Sequence, residues 1–598
     1  VPRAKSQLVA VTWPWVAIAA ILALFVLRAR VVEDHYGAVV ACEGCFFLPS
    51  IVQDLWVLAI ACVLLAMVIV SPWRLLRWLG GLVLSVLLIG YVIDVYLLHA
   101  FGIRLFLADI AVYGLSIGLV VEQFAAWAGG VVPAVLLIVL LVGLVSLPAV
   151  LPRSASPVMM ASLVLVGLVS TGVAAFGPAP DFVNSWIYRN FLQANSATTE
   201  SVRYSPERIE AIRNKQDAIL PRSCESSPVD RRNVIVLILE SWSSYQSPAF
   251  GGHLDWTPEL DALAMENVRY TNLHAGGFST NEGLVNILGG VRLWAPFEHL
   301  FEAAEFGHAW GIDGGMAEVL GSAGFRTAFL TTGPLSFLRK GEWLRDLGFD
   351  YVEGNQHPFY EDWERVAFHA AADEALYRRA LQWTGDQADS PYLLVLETVS
   401  THQPYINPET GAYDIEGSFR YADRWAAWFH DRLEERGFFD SGVLLVVSDH
   451  RSMTPISAEE QERFGRGAAS RIPMFMVDKQ WQGAPVVDRV HGLGDLVAGM
   501  RQRVSGEVCT DATQASPFRT DEAEGSCAFH LRGSQRGIVD VFCGDGNGRV
   551  LLDGDDTRFT DVSGLSPRRR EQVLTAIALE RIRGSERARR YEAAGGDR

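Results

Sequence analysis

The sequence predicts an α-helical membrane domain of five transmembrane helices followed by an α/β sandwich. Two observations predict it. Half of the 598 residues are hydrophobic, a surplus beyond that of ordinary soluble chains, and it is concentrated before residue 178. After residue 231 the apolar residues fall instead into short solid runs separated by helix-like segments, the pattern of a mainly parallel sheet covered on both faces.

Five apolar runs, at 11–27, 51–70, 79–101, 130–151 and 158–176, are each about long enough to cross a ~30 Å hydrocarbon core. Arg3 and Lys5 precede the first, Arg74 and Arg77 follow the second and Arg153 follows the fourth. The preference of basic loops for the cytoplasm places these on the inside. An odd number of spans then carries everything after about residue 178 to the extracytoplasmic side of a bacterial cytoplasmic (inner) membrane. Arg28 and Arg30 sit on the other side from that preference, close to Glu33 and Asp34. The first run has the basic start of a signal peptide, but no small-residue cleavage site follows it and four more spans do, so it reads as a retained anchor. Asp94 and His99, near the outer end of the third span, read as interfacial and are given no role.

The expected divisions are a membrane domain (1–178), an interfacial linker (179–230), an α/β domain (231–505) and a C-terminal extension (506–598). In the linker, Ser205 caps a helix with Pro206 at its first position. The aromatic and basic mixture at 186–192 suits a helix lying along the membrane or one packed on the next domain. The chain has a net charge of −17 and its acidic excess lies after residue 180, which argues against polyanions, nucleic acid among them, as partners.

Of seven cysteines, Cys62 lies within a span, and the other six fall on the oxidising side, where disulfides form. Cys42 and Cys45 read as a local disulfide, and Cys509, Cys527 and Cys543 cluster without a connectivity fixed by spacing. The extension contains "GIVDVFCGDGNGRVLLDGDD", read as a hairpin turning at Asn547-Gly548. It is not an EF-hand, because Arg549 stands where an oxygen ligand is required and Val550 where the glycine belongs. "SPRRREQVLTAIALERIR" reads as a basic amphipathic helix on the domain edge, with anionic lipid as the other surface it suits.

The solid runs are "NVIVLILE" (233–240), "RTAFLTT" (326–332), "YLLVLETVS" (392–400) and "GVLLVVSDH" (442–450). In an open parallel sheet, ligands gather at the carboxyl ends of the strands. Three of these runs lead to ionisable groups: Glu240, the pair Asp449 and His450, and His402. Two carboxylates and an imidazole suit Zn²⁺ or Mn²⁺, with Mg²⁺ a third candidate. A hydroxyl is the natural fourth group, and "AGGFSTNEGL" (275–284) supplies two, Ser279 and Thr280, at the start of a helix whose N-terminus favours anions. Either hydroxyl is equally a helix cap.

A strand ending in "LES", a glycine-rich stretch with Thr, the segment "TVSTHQPY" and the strand end "VVSDH" together resemble the sulfatase-like domain of the alkaline phosphatase superfamily. With five preceding spans, the chain resembles lipoteichoic acid synthase and related membrane phosphoglycerol and phosphoethanolamine transferases. The resemblance implies an α/β sandwich of alkaline phosphatase/sulfatase type and places the family's metal ligands on Glu240, Thr280, Asp449 and His450. Thr280 is preferred to Ser279 as nucleophile because "TNEGL" matches the relatives' Thr-x-x-Gly-Leu. The substrate contacts fall on His402 in "STHQPY" and on Lys340 or Arg339 in "FLRKGEWLRDLGFD".

The departures bear on substrate. "TTGPLSFLRK" lacks the His and Trp that precede the basic residue in lipoteichoic acid synthase. "STNEGL" lacks the C/S-x-P-x-R context of sulfatases, which disfavours sulfate esters. The cysteines and the Pro near the nucleophile of phosphoethanolamine transferases are also missing. What the resemblance then implies is metal-dependent transfer of phosphoglycerol from phosphatidylglycerol, through a phosphothreonine intermediate, to a hydroxyl of an envelope glycan or glycolipid. Phosphoethanolamine transfer, hydrolysis of a phosphodiester at the same site, and a non-catalytic membrane platform are the competing readings.

Overall fold

The computed structural model describes residues 2–36, 46–101, 104–107, 139, 143, 157–177, 189–196, 204–295, 309–387, 390–519, 526–531, 537–553 and 556–593. Two compact units emerge, Val1–Thr198 with Thr454–Ser457, and Thr199–Met453 with Ala458–Arg598.

In the first unit, four helices contain segments long and apolar enough to cross a membrane: Trp13–Asp34, Phe47–Val70, Arg74–His99 and Pro157–Phe176. They answer to four of the five expected spans; the run at 130–151, apart from residues 139 and 143, lies outside the described residues, as do Arg153, Cys42 and Cys45. Phe25, Val57, Leu65, Leu84 and Leu163 meet in the apolar core of this bundle.

Two readings of this segment are corrected. Arg28 is not a loop charge, and Asp94 is not interfacial: both are fully buried. Arg28 Nη1 donates to Asp54 Oδ1 at 2.9 Å, and its Nε is 4.0 Å from Asp94 Oδ2. Arg104 forks onto the Asp94 carboxylate, with Nε to Oδ1 at 3.0 Å and Nη2 to Oδ2 at 2.8 Å. Tyr91 donates to Asp54, and Arg28 and Arg104 both donate to the carbonyl of Arg189. Two cations and two anions thus cancel within the bundle, whereas each alone would be costly to bury. Asp94→Ala strands Arg104 and is expected to cost about 3–5 kcal/mol. A lowered unfolding midpoint of the detergent-solubilised protein checks this, and an unchanged midpoint refutes it.

The second unit is built on a sheet in the order β10-β3-β8-β7-β2-β6-β4-β5, with β9 also on β3. Its strands are β2 (Asn233–Leu239), β3 (Val268–His274), β4 (Arg326–Thr331), β5 (Tyr351–Glu353), β6 (Tyr392–Glu397), β7 (Gly442–Ser448), β8 (Arg471–Val477), β9 (Val486–Val487) and β10 (His491–Gly492). The run β7-β2-β6-β4-β5 is parallel, as the solid apolar pattern predicts, and β8 runs antiparallel to β7 and β3. Both faces are covered. Ile235, Leu237 and Leu239 pack with Tyr377 and Phe429 of helices Asp373–Gly385 and Ile415–Glu435. Helices Thr280–Gly289, Met316–Ser322 and Asp495–Ser505 bury Leu284, Leu320 and Leu496.

β3 and β8 are not legible as solid runs. β3 carries Arg269, Thr271 and Asn272, and β8 contains Pro473, which cannot donate to a ladder. The register shifts between Tyr270 and Leu273, opposite the segment Ile472–Met474, so the missing N–H falls at a bulge where the ladder is interrupted anyway.

Around this core, β1 (Ser223–Ser226) pairs with β11 (Glu507–Thr510), and the directly opposed Cys224 and Cys509 form a disulfide. The extension forms a second sheet of β12 (Ala528–Leu531), β13 (Ile538–Cys543), β14 (Gly546–Asp553) and β15 (Asp556–Ser563). Cys527 and Cys543 are joined across β12 and β13. The basic helix Pro567–Ala593 packs on this sheet, burying Val573, Ala576 and Ile577 against Val539 and Val550.

The hairpin between β13 and β14 corrects the expected turn. Cys543 pairs with Gly546, so the turn residues are Gly544 and Asp545, and Asn547-Gly548 lies inside β14. The third strand decides this: a Cβ on Gly546 would lie 2.2 Å from the Ser563 carbonyl oxygen, so β15 closes only where that side chain is missing.

Candidate active site

Glu240 directly follows β2, and Asp449 and His450 directly follow β7, so the parallel pairing of these strands brings the three side chains to one edge of the sheet. Their donor atoms lie within 4.8 Å of one another, and all three residues are buried. His450 Nε2 is 3.2 Å from Glu240 Oε1 and 3.4 Å from Asp449 Oδ2.

Thr280 completes the group from helix Thr280–Gly289. Its Oγ1 is 3.2 Å from Glu240 Oε2 and 3.3 Å from His450 Nε2. The competing role falls to its neighbour: Ser279 is the N-cap, and with Glu282 it makes a capping box in which the Ser279 N–H donates to Glu282 Oε2 at 3.2 Å. Capping therefore occupies Ser279 and leaves the Thr280 hydroxyl facing the carboxylates. The helix approaches so closely because residue 283 is glycine. A Cβ there would stand 2.6 Å from the Asp449 carbonyl oxygen.

The surroundings hold each of these side chains in a defined state. The Glu240 N–H donates to Thr398 Oγ1 at 3.0 Å, and Thr401 Oγ1 donates to the Glu240 carbonyl at 2.6 Å. Asp449 Oδ1 accepts from the N–H of Ser241 and of His450, at 3.0 and 2.9 Å. His450 Nδ1 donates to the Arg451 carbonyl at 2.8 Å, which turns Nε2 toward the carboxylates, the arrangement that orients a histidine ligand. Asp449 Oδ2, by contrast, is fully buried with no hydrogen-bond partner. Next to the Glu240 carboxylate, that oxygen carries negative charge that a cation would offset. Two carboxylates, an imidazole and a hydroxyl around that oxygen fit Mn²⁺ or Zn²⁺.

Electrostatics agree. Burial works to lower the His450 imidazole, but Asp449 and Glu240 override it and push it up to about 10. Burial works to raise the Glu240 carboxyl, and the His450 charge holds it below the usual range instead. Asp449 is pushed well above its ordinary value by burial and by Glu240. A proton on His450 thus does part of a cation's work.

Lys340 and Arg339, offered as alternatives by the sequence, part company. Leu338 and Arg339 both adopt left-handed backbone conformations, at φ 50° and 56°, a strain of about 1–3 kcal/mol each for such residues. Arg339 turns outward to Glu342, at 2.6 Å, and to the rings of Trp310 and Tyr591. Lys340 turns inward and is buried. His402 lies against Phe368 and donates from Nδ1 to the Gln403 carbonyl at 2.6 Å. Burial lowers its pKa, and the charges of His450 and Lys340 add to this against the pull of Glu240. The neutral ring therefore offers an Nε2 lone pair, suited to a hydroxyl donor.

Two supports escaped the sequence reading. One is the pair of threonines in "TVST", Thr398 and Thr401, whose clue was their place at a strand end already singled out. The other is the extension: Leu531 N–H donates to the Gly276 carbonyl at 2.9 Å, and His530 Nδ1 to the Ala275 carbonyl at 2.9 Å. His274 stacks on Phe542 with ring centroids 4.1 Å apart. The far end of the chain thus braces the stretch that leads to Thr280, a long-range contact without a local signature.

Residues 232–502 match the Sulfatase family model. This part of the chain is similar to sulfatase domains. It has the fold of an alkaline phosphatase superfamily protein from Vibrio parahaemolyticus, with a TM-score of 0.52 at 18% identity over 66% of this chain and 98% of that one. The lipoteichoic acid synthase LtaP from Listeria monocytogenes gives a TM-score of 0.47 at 17% identity over 64% and 98%. Phosphoglycerol transferase I of Escherichia coli (strain K12) is 26% identical over 223 residues, 33% of this chain and 28% of that protein. The chain thus spans little more than a quarter of the length of the curated relatives it matches.

Because His450 Nε2 must lose its proton before it can bind a cation, affinity should rise with pH. About one proton released, and up to about a tenfold gain per pH unit between roughly pH 6 and 8, are expected for Mn²⁺. Calorimetry in buffers of different ionisation enthalpy checks this, and pH-independent binding without proton release would contradict it.

Proposed function

We propose that this chain is a multi-pass enzyme of the bacterial cytoplasmic (inner) membrane, with its sulfatase domain on the extracytoplasmic side. In this reading it transfers phosphoglycerol from phosphatidylglycerol, by way of Thr280, to a hydroxyl of an envelope glycan or glycolipid. The observation that supports it best is the Thr280 hydroxyl beside Glu240 and His450, with Ser279 taking the cap. The similarity to phosphoglycerol transferase I points the same way.

Glu240, Asp449, His450 and Thr280 would hold one divalent cation, Mn²⁺ or Zn²⁺, with Mg²⁺ as a third candidate. Such a cation lowers the pKa of a neighbouring hydroxyl and neutralises charge on phosphate oxygens. Thr280 Oγ1 attacks phosphorus, the bond to diacylglycerol breaks, and diacylglycerol leaves as an alcohol with a proton taken up at its oxygen. The backbone N–H groups at the start of helix Thr280–Gly289 and the Lys340 ammonium face the phosphoryl oxygens. In the second half, the acceptor hydroxyl gives up its proton, attacks the same phosphorus and frees Thr280. His402 Nε2 is suited to accept a hydrogen bond from a glycerol or acceptor hydroxyl. Arg339, turned away, has no part. A sulfate ester is disfavoured because position 280 is Thr, without the C/S-x-P-x-R context.

Thr280→Ala is expected to abolish headgroup release from phosphatidylglycerol, by at least about 10³-fold. Mass spectrometry of the peptide containing Thr280 should find a glycerophosphoryl adduct in the wild type. Full turnover by the variant would remove Thr280 as nucleophile, an ethanolamine adduct would change the headgroup, and free glycerophosphate without acceptor-linked product would make the enzyme a hydrolase.

A further inference from the structure

Lys340 and Glu397 form a buried ion pair, Nζ to Oε2 at 2.6 Å, with side chains 11% and 2% exposed. Such a pair gains little stability over apolar packing, yet the chain is shaped to make it. On one side, the consecutive left-handed residues Leu338 and Arg339 turn Lys340 inward. On the other, Glu397 is the last residue of β6, paired with Ile238 of β2 and Thr331 of β4. The next residue, Thr398, accepts a hydrogen bond from the N–H of Glu240. One strand end thus holds both Glu240 and the partner of Lys340. Glu397 is the register partner of Ile238, two residues before Glu240, so the ion pair lies at the same end of the sheet as the carboxylate cluster.

Resting on the reading of Lys340 as a phosphate contact, we propose that Glu397 is a positioning residue for headgroup transfer. Its carboxylate accepts one of the three ammonium protons of Lys340 in a fixed direction, leaving two donors for oxygens of the phosphodiester. A flexible lysine is held in place before substrate arrives, which makes its charge available to the transition state without reorganisation. Glu397 itself touches neither phosphorus nor Thr280; it acts through Lys340.

The test is steady-state kinetics of the full-length protein in detergent with phosphatidylglycerol, comparing Glu397→Gln, Glu397→Asp, Lys340→Met and the double variant Lys340→Met/Glu397→Gln. Glu397→Gln should lower kcat about 10- to 100-fold with KM changed less than about threefold, and Glu397→Asp should recover part of the loss. On the Lys340→Met background, Glu397→Gln should cost no more than about twofold, since nothing remains to be aimed. Equal losses on both backgrounds, or an unchanged kcat in Glu397→Gln, would overturn the proposal. Should Glu397→Gln unfold, Lys340→Met/Glu397→Leu, with both charges removed, takes its place beside Lys340→Met, where a further drop in kcat overturns the proposal and equal kcat supports it. Thr280→Ala in the same series separates the two ideas. Full turnover there defeats the functional reading, whereas an inactive Thr280→Ala beside a fully active Glu397→Gln defeats only the role of Glu397.

Discussion

The site depends on one electrostatic constraint: two carboxylates, Glu240 and Asp449, are buried within reach of each other at adjacent parallel strand ends. Neither can remain ionised there without positive charge. His450 supplies some of it as a proton, and the unsatisfied Asp449 Oδ2 marks where more is required. The remaining features of the site follow from keeping that cluster compact. Gly283 admits the helix, Ser279 takes the cap so that Thr280 need not, and the Ser241, Thr398 and Thr401 hydrogen bonds fix the two carboxylate residues.

The membrane unit solves a similar problem in another way. Arg28, Asp54, Asp94 and Arg104 are as deeply buried as the site carboxylates, but they arrive in equal numbers of each sign and neutralise one another, with Tyr91 and the Arg189 carbonyl joining the network. A charge-balanced cluster ties helices together; a cluster with excess negative charge asks for a ligand. The contrast lies in the balance of charge, because burial is alike.

The supporting shell is drawn from distant parts of the chain. β6 contributes Glu397 and Thr398, a strained turn contributes Lys340, and the extension beyond the family match reaches back to Ala275 and Gly276 through His530 and Leu531. Among the described residues, two disulfides close sheets around this framework. Cys224–Cys509 ties the segment before β2 to the end of helix Asp495–Ser505, and Cys527–Cys543 closes the edge of the extension.

The sequence by itself determined the order of the apolar helices and the α/β domain, the parallel core strands and the ionisable residues at their ends. Solid apolar runs are read directly because a strand buried on both faces has no polar period, and ionisable residues at their ends stand out for the same reason. Spans are legible because a bilayer demands about 20 apolar residues. Only the tertiary structure distinguishes the contacts of Ser279 from those of Thr280 and of Arg339 from those of Lys340, and moves the turn from Asn547-Gly548 to Gly544-Asp545. Each difference rests on a contact from far along the chain, with Glu240, Glu397 and Ser563. Local propensity is equal for both members of such a pair, so no reading of the flanking residues could separate them. For the same reason Arg28 and Asp94 looked misplaced in sequence, and their burial made sense only once helices brought Asp54 and Arg104 beside them.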